Sequence, residues 1–411
     1  MKIIILSDDF PPKSLGGAGI VAYMQAKELS RRGHEVSVIT TFQDEGIDER
    51  VDIEGLTVYR IHTNYNMFFR GYVGLCNPKT IFKVKKFLED MHPDVVHAHN
   101  IHQFLSYKIL DYAKQYAKKV CVTFHDGMSV HYTKLYPKVS RERGRAFDYR
   151  VSWFSQLRHF RLQYNPFRNS VIKHYLKNVD YSFAVSHALK DALEQNGLKK
   201  IEVLHNGIDV EDFIFDEGGV SAFKNKYDLC DKKVLFFSGR ISKTKGIDVC
   251  LHLLKELSLT MPEVRLLIAG KKNSYIEHIL QKEDMLGLAS KVIFTEWLDR
   301  EEVVSAYYAS DLIPVLSTYL DPFPTTNLEA MATKKPVLGT CFGGTPEIVV
   351  DGQTGYIVDP NNFGEVLRRA SQILSDEGLA KKLGEAGHER VAKNYLLSTQ
   401  ANHLETVYGT N

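Results

Sequence analysis

The fold is decided by Ile3-Ile-Ile-Leu-Ser-Asp-Asp-Phe-Pro-Pro-Lys-Ser-Leu-Gly-Gly17, an apolar run that leads into a glycine-rich loop. The run Ile3–Leu6 has the length and composition of a buried parallel strand. A helical pattern covers residues 20–32 and stops at Gly33, and residues 35–40 form the next apolar run. Strand, loop, helix and strand in this order predict the opening of a doubly wound α/β sheet.

The same alternation continues and predicts two sets of parallel strands. The first set is expected at 95–97, 120–124, 181–185 and 201–204, and the second at 234–238, 264–269, 292–294, 312–316 and 336–338. Helices are expected at 102–118, after Ser186, from 247 to about 257, at 301–309, at 328–333 and at 389–408. We interpret residues 209–233 as a charged linker between two α/β domains, and residues 128–170 as an insertion.

Composition narrows the class of protein. The 411 residues carry a formal net charge of +2, which argues against a dedicated nucleic-acid binder. The five cysteines are scattered and lack metal-ligand spacing, so free thiols in a reducing cytosol are expected. The first apolar run is too short for a signal peptide, and no run of about 18 apolar residues is present. We therefore expect a cytoplasmic protein.

A basic loop, Gly239-Arg-Ile-Ser-Lys-Thr-Lys-Gly246, follows a predicted strand and opens a predicted helix. Backbone N–H groups at a helix N-terminus favour anions. Arg240 suits a phosphate because its guanidinium donates two parallel hydrogen bonds, and Lys245 adds a point charge. The spacing is not that of a P-loop, and a solvated basic loop is the alternative interpretation.

The stretch Asp321-Pro-Phe-Pro-Thr-Thr-Asn-Leu-Glu329 places two carboxylates near another strand end. Ionised carboxylates accept hydrogen bonds, and ribose and sugar hydroxyls donate them, so the pair suits a hydroxyl-rich ligand. The alternative is structural: Asp321 starts a turn, and Glu329 lies near a helix N-terminus for electrostatic reasons.

These and other motifs, taken in order, resemble glycosyltransferase family 4 enzymes of the GT-B fold. The motifs that carry the resemblance are Gly16-Gly17, Phe183-Ala-Val-Ser186, His205-Asn-Gly-Ile-Asp209, Ser238-Gly-Arg240 with Lys245-Gly246, Asp321-Pro-Phe323, Leu328-Glu-Ala-Met-Ala332, Pro336-Val337, Gly343-Gly-Thr-Pro-Glu347, Asp351-Gly352 and Thr354-Gly-Tyr356. The resemblance implies two Rossmann-like domains facing across a cleft, with the last helix crossing back to the first domain. The expected bounds are 1–208 for the acceptor-side domain, 209–392 for the donor domain and 393–411 for the returning helix.

The resemblance also implies roles for individual residues. Arg240 and Lys245 would bind the donor pyrophosphate and neutralise the leaving nucleoside diphosphate without a metal. Glu329 would hold the ribose, Asp321 would contact the transferred sugar, and His125 would face the reacting sugar carbon. The other donor contacts would come from Gly16, Gly17, Asn206, Gly239, Phe323, Thr325, Thr326 and Asn327.

Two positions depart from the family pattern. The first acidic residue is usually Glu and here is Asp321, which shortens the side chain by one methylene group. The residue after Phe323 is often Gly and here is Pro324, which removes one backbone N–H donor. We expect backbone and hydroxyl groups of Thr325 and Thr326 to replace it.

The histidines near the second predicted strand raise a metal as an alternative. His97, His99 and His102 lie close together in sequence, but no further Cys or carboxylate stands at ligand spacing. We therefore predict no metal site, and we place His99 on the acceptor side.

The segment 134–177 contains eleven Lys or Arg residues interleaved with aromatic ones. One interpretation is a surface that contacts anionic lipid or a lipid-phosphate-linked acceptor. The other is a structural cover over the cleft, with a solvated outer face. Nucleic acid is a weaker third option, and we predict none as a partner.

The resemblance therefore implies a retaining, metal-independent hexosyltransferase that needs no cofactor. Its donor is a nucleoside-diphosphate-sugar, either a UDP-sugar or GDP-mannose, and its acceptor is a hydroxyl group of a cell-envelope glycan or lipid-linked saccharide. A nucleotide-sugar-binding scaffold without turnover, or an epimerase or phosphorylase on the same fold, remains the alternative.

Overall fold

A computed structural model describes residues 1–12, 16–139, 147–282, 285 and 287–410. These residues form two compact units, Met1–Gly207 with Leu397–Asn411, and Ile208–Leu396. Part of the predicted basic segment, namely residues 140–146 with Arg141, Arg143 and Arg145, lies outside the described residues. Among the described residues, no helix is both long and apolar enough to cross a membrane.

The first unit is built on an eight-stranded sheet in the order β10-β9-β6-β5-β1-β2-β4-β3. All neighbouring strands are parallel except β3 and β4, which form an antiparallel pair. A further short antiparallel pair, β7 and β8, lies in the predicted insertion. The strands are β1 Lys2–Leu6, β2 Glu35–Phe42, β3 Glu49–Ile53, β4 Leu56–His62, β5 Val95–Ala98, β6 Lys119–Phe124, β7 Lys138–Val139, β8 Phe147–Asp148, β9 Tyr181–Ala184 and β10 Ile201–Val203.

Helices before residue 207, and one from the end of the chain, belong to this unit. They are α1 Gly17–Arg31, α2 Arg70–Val73, α3 Pro78–Met91, α4 Ile109–Tyr116, α5 Trp153–Phe160, α6 Arg168–Tyr175, α7 His187–Gln195 and, in the numbering of the whole chain, α16 Leu397–Gly409. Leu404, Val407 and Tyr408 of α16 are buried in the same core as Ile3 and Ile5 of β1.

The second unit contains β11 Lys233–Ser238, β12 Val264–Ala269, β13 Val292–Phe294, β14 Ile313–Val315, β15 Val337–Thr340 and β16 Gly355–Val358. Its helices are α8 Glu217–Lys226, α9 Ile247–Thr260, α10 Ser274–Leu280, α11 Arg300–Tyr308, α12 Thr325–Ala332, α13 Thr345–Ile348, α14 Phe363–Ser375 and α15 Glu377–Asn394. Two parallel three-stranded groups, β11-β12-β13 and β14-β15-β16, are joined where Leu235 bridges Leu312 in parallel and the Phe236 N–H donates to the Leu312 carbonyl at 3.0 Å. The combined order β13-β12-β11-β14-β15-β16 is that of a Rossmann sheet.

Three predictions about elements were wrong in detail. The predicted linker 209–233 instead contains helix α8, which begins after Asp216 and buries Val220 and Phe223. Its two glycines and high polarity made the segment resemble a linker. Asp216 offsets the low helix propensity of the glycines because its carboxylate accepts hydrogen bonds from both of their N–H groups.

The predicted helix 102–118 is shortened to α4. The Asp8 carboxylate holds the preceding chain in a turn by accepting hydrogen bonds from the N–H groups of Gln103, Phe104 and Leu105 at 2.7–2.9 Å. Ser106 then adopts a left-handed φ of 79°, which an α-helix excludes. No local pattern reveals this contact, because Asp8 is far away in the sequence.

The predicted helix 389–408 is divided between α15 and α16. The break at Tyr395 and Leu396 is where Ile208 pairs with the chain, its N–H donating to the Tyr395 carbonyl at 2.8 Å. By contrast, the predicted cap of α7 is confirmed, since the Ser186 hydroxyl accepts a hydrogen bond from the Leu189 N–H.

Candidate functional site

In the second unit, the order in which strands are added to the sheet reverses between β11 and β14. From β11 the chain adds β12 and β13 on one side, and it then returns to add β14, β15 and β16 on the other. The loops that follow adjacent strands on opposite sides of such a reversal diverge and leave a crevice for a ligand. The predicted residues Arg240 and Lys245 follow β11, and Asp321 and Glu329 follow β14.

Lys245 and Asp321 form an ion pair in this crevice. The Lys245 Nζ lies 2.6 Å from the Asp321 Oδ2, and the Ser317 hydroxyl donates to the same oxygen at 2.7 Å. Asp321 is 4% exposed, whereas Lys245 keeps a quarter of its side-chain surface. The Lys245 ammonium also lies 5.7 Å from the centre of the Tyr319 ring. The pair therefore presents a cation and a carboxylate side by side, held by polar contacts on both.

A glycine at a close approach of two backbone segments stands near each member of this pair. Gly246 has a φ of 82°, and a Cβ there would lie 2.1 Å from the Leu316 carbonyl oxygen. Gly343 has a φ of 69°, and a Cβ there would lie 2.1 Å from the Asp321 carbonyl oxygen. No other residue fits either position, so these glycines fix where Lys245 and Asp321 stand.

Arg240 is exposed just beyond the end of β11. Among the residues that the structure describes, it has no hydrogen bond or ion pair within the protein. Gly239, immediately before it, has a φ of 145° and open space where a Cβ would stand. A guanidinium without a protein partner, in the same loop as Lys245, suits a dianionic ligand.

Helix α12 opens in the same crevice without a side-chain cap. Its N-cap residue is Pro324, which provides no side-chain hydrogen bond. Thr325 and Thr326 are partly exposed at the first turn, and the Thr326 hydroxyl reaches the Ser238 carbonyl at 3.4 Å. The uncapped first turn directs backbone N–H groups and the positive end of the helix dipole outward.

Glu329 lies one turn further along α12 and is held by a buried tyrosine. The Tyr307 hydroxyl donates to Glu329 Oε2 at 2.6 Å, and Tyr307 is fully buried against Phe236. Burial raises the pKa of Glu329, although hydrogen bonds from Tyr307 and Thr325 oppose the shift. Tyr307 was not singled out from the sequence, and only its helical spacing from buried neighbours marks it as a core residue.

Two predicted donor contacts, Phe323 and Asn327, direct their side chains into the protein. Asn327 is fully buried and donates to the Thr345 hydroxyl at 3.1 Å. Phe323 is also buried, and its ring lies 5.7 Å from that of Tyr395. Both side chains are buried, and the Asn327 Oδ1 has no hydrogen-bond partner among the described residues.

In the first unit, His99 and His125 follow the adjacent strands β5 and β6 and bond to each other. The His99 Nδ1 and the His125 Nε2 are 2.8 Å apart, and the rings are stacked. Burial lowers the pKa of His125 to about 4 and that of His99 well below its usual value. Both imidazoles are therefore neutral near pH 7, and one donates to the other.

His99 has a second ring nitrogen that is buried without a partner. Its Nε2 has no hydrogen-bond partner among the described residues, although His99 is only 2% exposed. Its neighbour His97 is fully satisfied, by the Tyr408 hydroxyl at 2.6 Å and the Thr123 hydroxyl at 2.8 Å. His97 is thus a structural histidine, and His99 keeps one nitrogen for a polar ligand or water.

The remaining predicted residues of the first unit are Gly16, Gly17 and Asn206. A Cβ on Gly17 would meet no described heavy atom within 4 Å, and one on Gly16 would lie 4.0 Å from the Asp9 carboxylate. Asn206 is buried, and its Oδ1 has no hydrogen-bond partner among the described residues. Among the described residues, Gly17 therefore borders open space at the start of α1.

Comparisons with known proteins identify the family. Residues 15–212 match the model described as Glycosyltransferase Family 4, and residues 221–390 match the model described as Glycosyl transferases group 1. The chain belongs to the GT-B glycosyltransferases of family 4 type.

Curated relatives of this glycosyltransferase differ in how much of their length aligns. The chain is 24% identical over 415 residues to N-acetyl-alpha-D-glucosaminyl L-malate synthase of Bacillus anthracis, covering 99% of this chain and 97% of that protein. It is 27% identical over 257 residues to the protein YtcC of Bacillus subtilis, covering 57% of this chain and 61% of that protein.

Solved structures show the same fold as this glycosyltransferase. Sucrose-phosphate synthase from Thermosynechococcus elongatus matches with a TM-score of 0.78 at 20% identity, over 99% of this chain and 98% of that one. HepE from Anabaena, in complex with UDP and glucose, matches with a TM-score of 0.73 at 20% identity, over the whole of both chains. The predicted GT-B fold is thereby confirmed.

Proposed function

We propose that this glycosyltransferase moves a sugar from a nucleoside-diphosphate-sugar to a hydroxyl group, with retention of the anomeric configuration and without a metal. The observation that carries the proposal is the crevice between β11 and β14, where cationic and carboxylate groups occupy separate ends. Arg240, Lys245 and the start of α12 offer positive charge, and Asp321 and Glu329 offer hydrogen-bond acceptors. A nucleotide sugar has the matching order of groups: hydroxyls, diphosphate, hydroxyls.

The cations suit the leaving group. When the bond between sugar and diphosphate breaks, negative charge grows on the distal phosphate. Arg240 and Lys245 would meet that charge directly, and the N–H groups of Thr325 and Thr326 would add hydrogen bonds. Two fixed cations do what a divalent metal does in other transferases, so we expect activity to persist in the presence of a chelator.

The two carboxylates suit different hydroxyls. Glu329 is oriented by Tyr307 and partly buried, which suits an anchor for the ribose hydroxyls. Asp321 stands beside Lys245, so a ligand phosphate on Lys245 would bring the attached sugar next to Asp321. This order supports Asp321 as the contact with the transferred sugar.

The proposed donor is a UDP-sugar or GDP-mannose, and the proposed acceptor is a glycan or lipid-linked saccharide of the cell envelope. The UDP and glucose bound to HepE, which has the same fold, support a uridine nucleotide as the first candidate. In retention, the acceptor hydroxyl attacks on the face that the diphosphate leaves, and the departing phosphate takes its proton.

We assign the acceptor side to the first unit, with His99 and His125. Because the pKa of His125 is lowered to about 4, its imidazole is a neutral hydrogen-bonding group and not an acid at neutral pH. Its bond to His99 fixes one ring nitrogen and leaves the other for a substrate hydroxyl. His125 is thus proposed to orient a sugar hydroxyl without transferring a proton.

The test is transfer with Lys245→Ala, compared with Lys243→Ala. Lys243 is exposed two positions earlier in the same loop and has no part in the proposed site. Loss of a cation that stabilises the leaving group lowers kcat/KM by about 100- to 1,000-fold. We expect that loss for Lys245→Ala only, and we expect the product to keep the donor's anomeric configuration by NMR.

The same assay distinguishes the scaffold alternative. A chain that binds one nucleotide sugar tightly, yet neither transfers nor hydrolyses it over a panel of acceptors, would be a scaffold. Equal activity of the two lysine variants would contradict the proposed role of Lys245.

A further inference from the structure

Helix α5 exposes its apolar side chains and buries a polar one. Trp153, Phe154 and Leu157 are exposed at positions i, i+1 and i+4, which lie on one face of a helix. The only buried residue of α5 is Gln156, whose Oε1 has no hydrogen-bond partner among the described residues. This pattern is the inverse of an ordinary surface helix, in which the apolar face is turned inward.

The apolar surface continues beyond α5. Leu162 and Phe167 are 81% and 72% exposed in the segment that follows the helix. A second segment, with exposed Phe68, Phe69 and Tyr72, lies beside it. We call the exposed residues 68–72 and 153–167 together the aromatic face.

Hydrogen bonds hold the two segments of the aromatic face together. The Tyr72 hydroxyl donates to the Tyr164 carbonyl, and the Asn165 amide donates to the Gly71 carbonyl at 3.2 Å. Gly71 permits this approach, because a Cβ there would lie 2.9 Å from the Gln163 carbonyl oxygen. The exposed rings are thus parts of one built surface and not the ends of loose loops.

The two stretches of sequence that carry the aromatic face contain cations and no acidic residue. Residues 55–88 and 149–179 contain no Asp or Glu. Arg158 and Arg161 are exposed within the face and make no ion pair with the described residues. A surface that combines exposed Trp, Phe and Leu with unpaired cations matches the interface of an anionic bilayer, in which apolar side chains enter the acyl boundary and cations meet the headgroups.

We infer that the aromatic face docks this protein on an anionic membrane surface, with Trp153, Phe154 and Leu157 inserted and Arg158 and Arg161 on the headgroups. Binding of this kind needs no helix that spans the bilayer. It does not depend on the proposed donor or acceptor, so it is tested without either.

The chain contains two tryptophans, which give an internal control. Trp153 lies in the aromatic face and is 65% exposed, whereas Trp297 lies in the second unit and is 74% exposed. In Trp297→Phe, the emission of Trp153 is expected to shift to shorter wavelength on vesicles of equal parts phosphatidylcholine and phosphatidylglycerol. In Trp153→Phe, the emission of Trp297 is expected to stay unchanged.

Co-sedimentation with the same vesicles tests separately how much the apolar side chains and the cations contribute to binding. The apolar side chains are tested first. Phe154→Ser with Leu157→Ser is expected to lower the partition coefficient roughly tenfold or more, because two apolar side chains lose their burial. Leu259→Ser is the control, since Leu259 is an exposed leucine of the second unit.

The charge contribution has its own pair of variants. Arg158→Glu with Arg161→Glu is expected to lower binding by roughly twentyfold or more, since each cation near an anionic surface contributes about fivefold. Lys381→Glu with Lys382→Glu makes the same change in charge on exposed residues of α15 and is expected to bind like the wild type.

Three results would overturn the inference. One is the absence of a Trp153 shift on anionic vesicles, and another is equal binding to pure phosphatidylcholine. The third is a dimer, detected by light scattering, that Phe154→Ser with Leu157→Ser converts to a monomer, because a second copy would then be the occupant. Circular dichroism of each variant confirms that the loss of binding is not a loss of folding.

Discussion

Asp321 is a buried carboxylate that receives hydrogen bonds from both Lys245 and Ser317. Its charge is stabilised locally, and it also neutralises part of the charge that Lys245 would offer to a phosphate. The side chain therefore has opposite effects on two steps. It would weaken the attraction of the site for the nucleotide alone, and it would favour the sugar in the transition state.

Asp321→Asn separates these two effects. The substitution keeps the shape of the side chain and removes its charge, so Lys245 is less neutralised. We expect nucleoside diphosphate to bind at least as tightly as to the wild type. Transfer is expected to fall about 10- to 100-fold, the loss for one hydrogen bond to a charged group. Calorimetry and initial rates measure the two quantities.

The control for Asp321 is Ser317→Ala, which removes a hydrogen bond to the same oxygen and keeps both charges. Nucleotide affinity should not change in this variant. If Ser317→Ala changed nucleotide affinity as much as Asp321→Asn does, the position of the Asp321 side chain, and not its charge, would determine how strongly Lys245 attracts the nucleotide.

Gly17 offers a test in which stability and activity move in different directions. It lies at the first turn of α1, has no left-handed φ, and borders open space among the described residues. Gly17→Ala is therefore expected to keep or raise the unfolding free energy, by up to about 1 kcal/mol. If the donor phosphate approaches this backbone, the added methyl group lowers transfer at least about tenfold.

Gly364→Ala is the matched control for Gly17→Ala. Gly364 lies in the first turn of α14, where the nearest atom to an added Cβ would be 3.9 Å away. The same change in helix propensity is expected there, with transfer unaffected. Full activity of Gly17→Ala would remove Gly17 from the donor site.

The residue types of the candidate site were predictable from the sequence, whereas their partners were not. Arg240, Lys245, Asp321 and Glu329 stand in recognisable motifs after apolar runs. Tyr307 was missed because a hydroxyl buried against Glu329 leaves no local sign. Likewise, the side-chain directions of Phe323 and Asn327 depend on packing against Tyr395 and Thr345.

At the scale of elements, α16 has a structural role in the first unit that goes beyond covering its surface. Its Tyr408 is buried, and the hydroxyl lies 2.6 Å from the His97 Nδ1. One turn earlier in the helix, Glu405 lies 2.7 Å from Arg32 and 2.8 Å from His34. The helix is thus joined to the sheet and to α1 by polar contacts as well as by apolar packing.

Tyr408→Phe tests the buried contact of α16. It leaves the His97 Nδ1 buried without a partner, which costs about 1–3 kcal/mol. Urea unfolding followed by Trp153 emission in a Trp297→Phe background reports the stability of the first unit. Tyr136→Phe, at an exposed tyrosine of the same unit, is expected to change nothing. Equal stability of the two variants would mean that the Tyr408 hydroxyl contributes no net stabilisation.

Element boundaries show where local patterns stop being informative. The predicted strand 264–269 coincides with β12. A short continuous apolar run between polar residues is typical of a buried parallel strand in an α/β protein. The predicted helix 102–118 was too long, since Asp8 captures the N–H groups of its first turn. The antiparallel pair β3 and β4 went unpredicted because its strands are partly polar and exposed on one edge.

Across the whole molecule, each unit contains a mainly parallel sheet whose strand order reverses beside the first strand of that unit. The alternation of strands and helices in the sequence predicted two parallel sheets. It did not predict the strand order, which depends on which runs pair across long separations. That order brings β11 next to β14, and it therefore brings Lys245 to Asp321 across 76 positions of sequence.

The proposed donor site is tested most directly by calorimetric titration of the protein with UDP, GDP and ADP, in parallel with Lys245→Ala and Lys243→Ala. We expect one nucleoside diphosphate to bind selectively to the wild type and to Lys243→Ala. We expect much weaker binding of the same nucleotide to Lys245→Ala, since that variant lacks one of the two phosphate-binding cations. Absence of binding by every nucleoside diphosphate, or unchanged binding to Lys245→Ala, would contradict a donor site between β11 and β14.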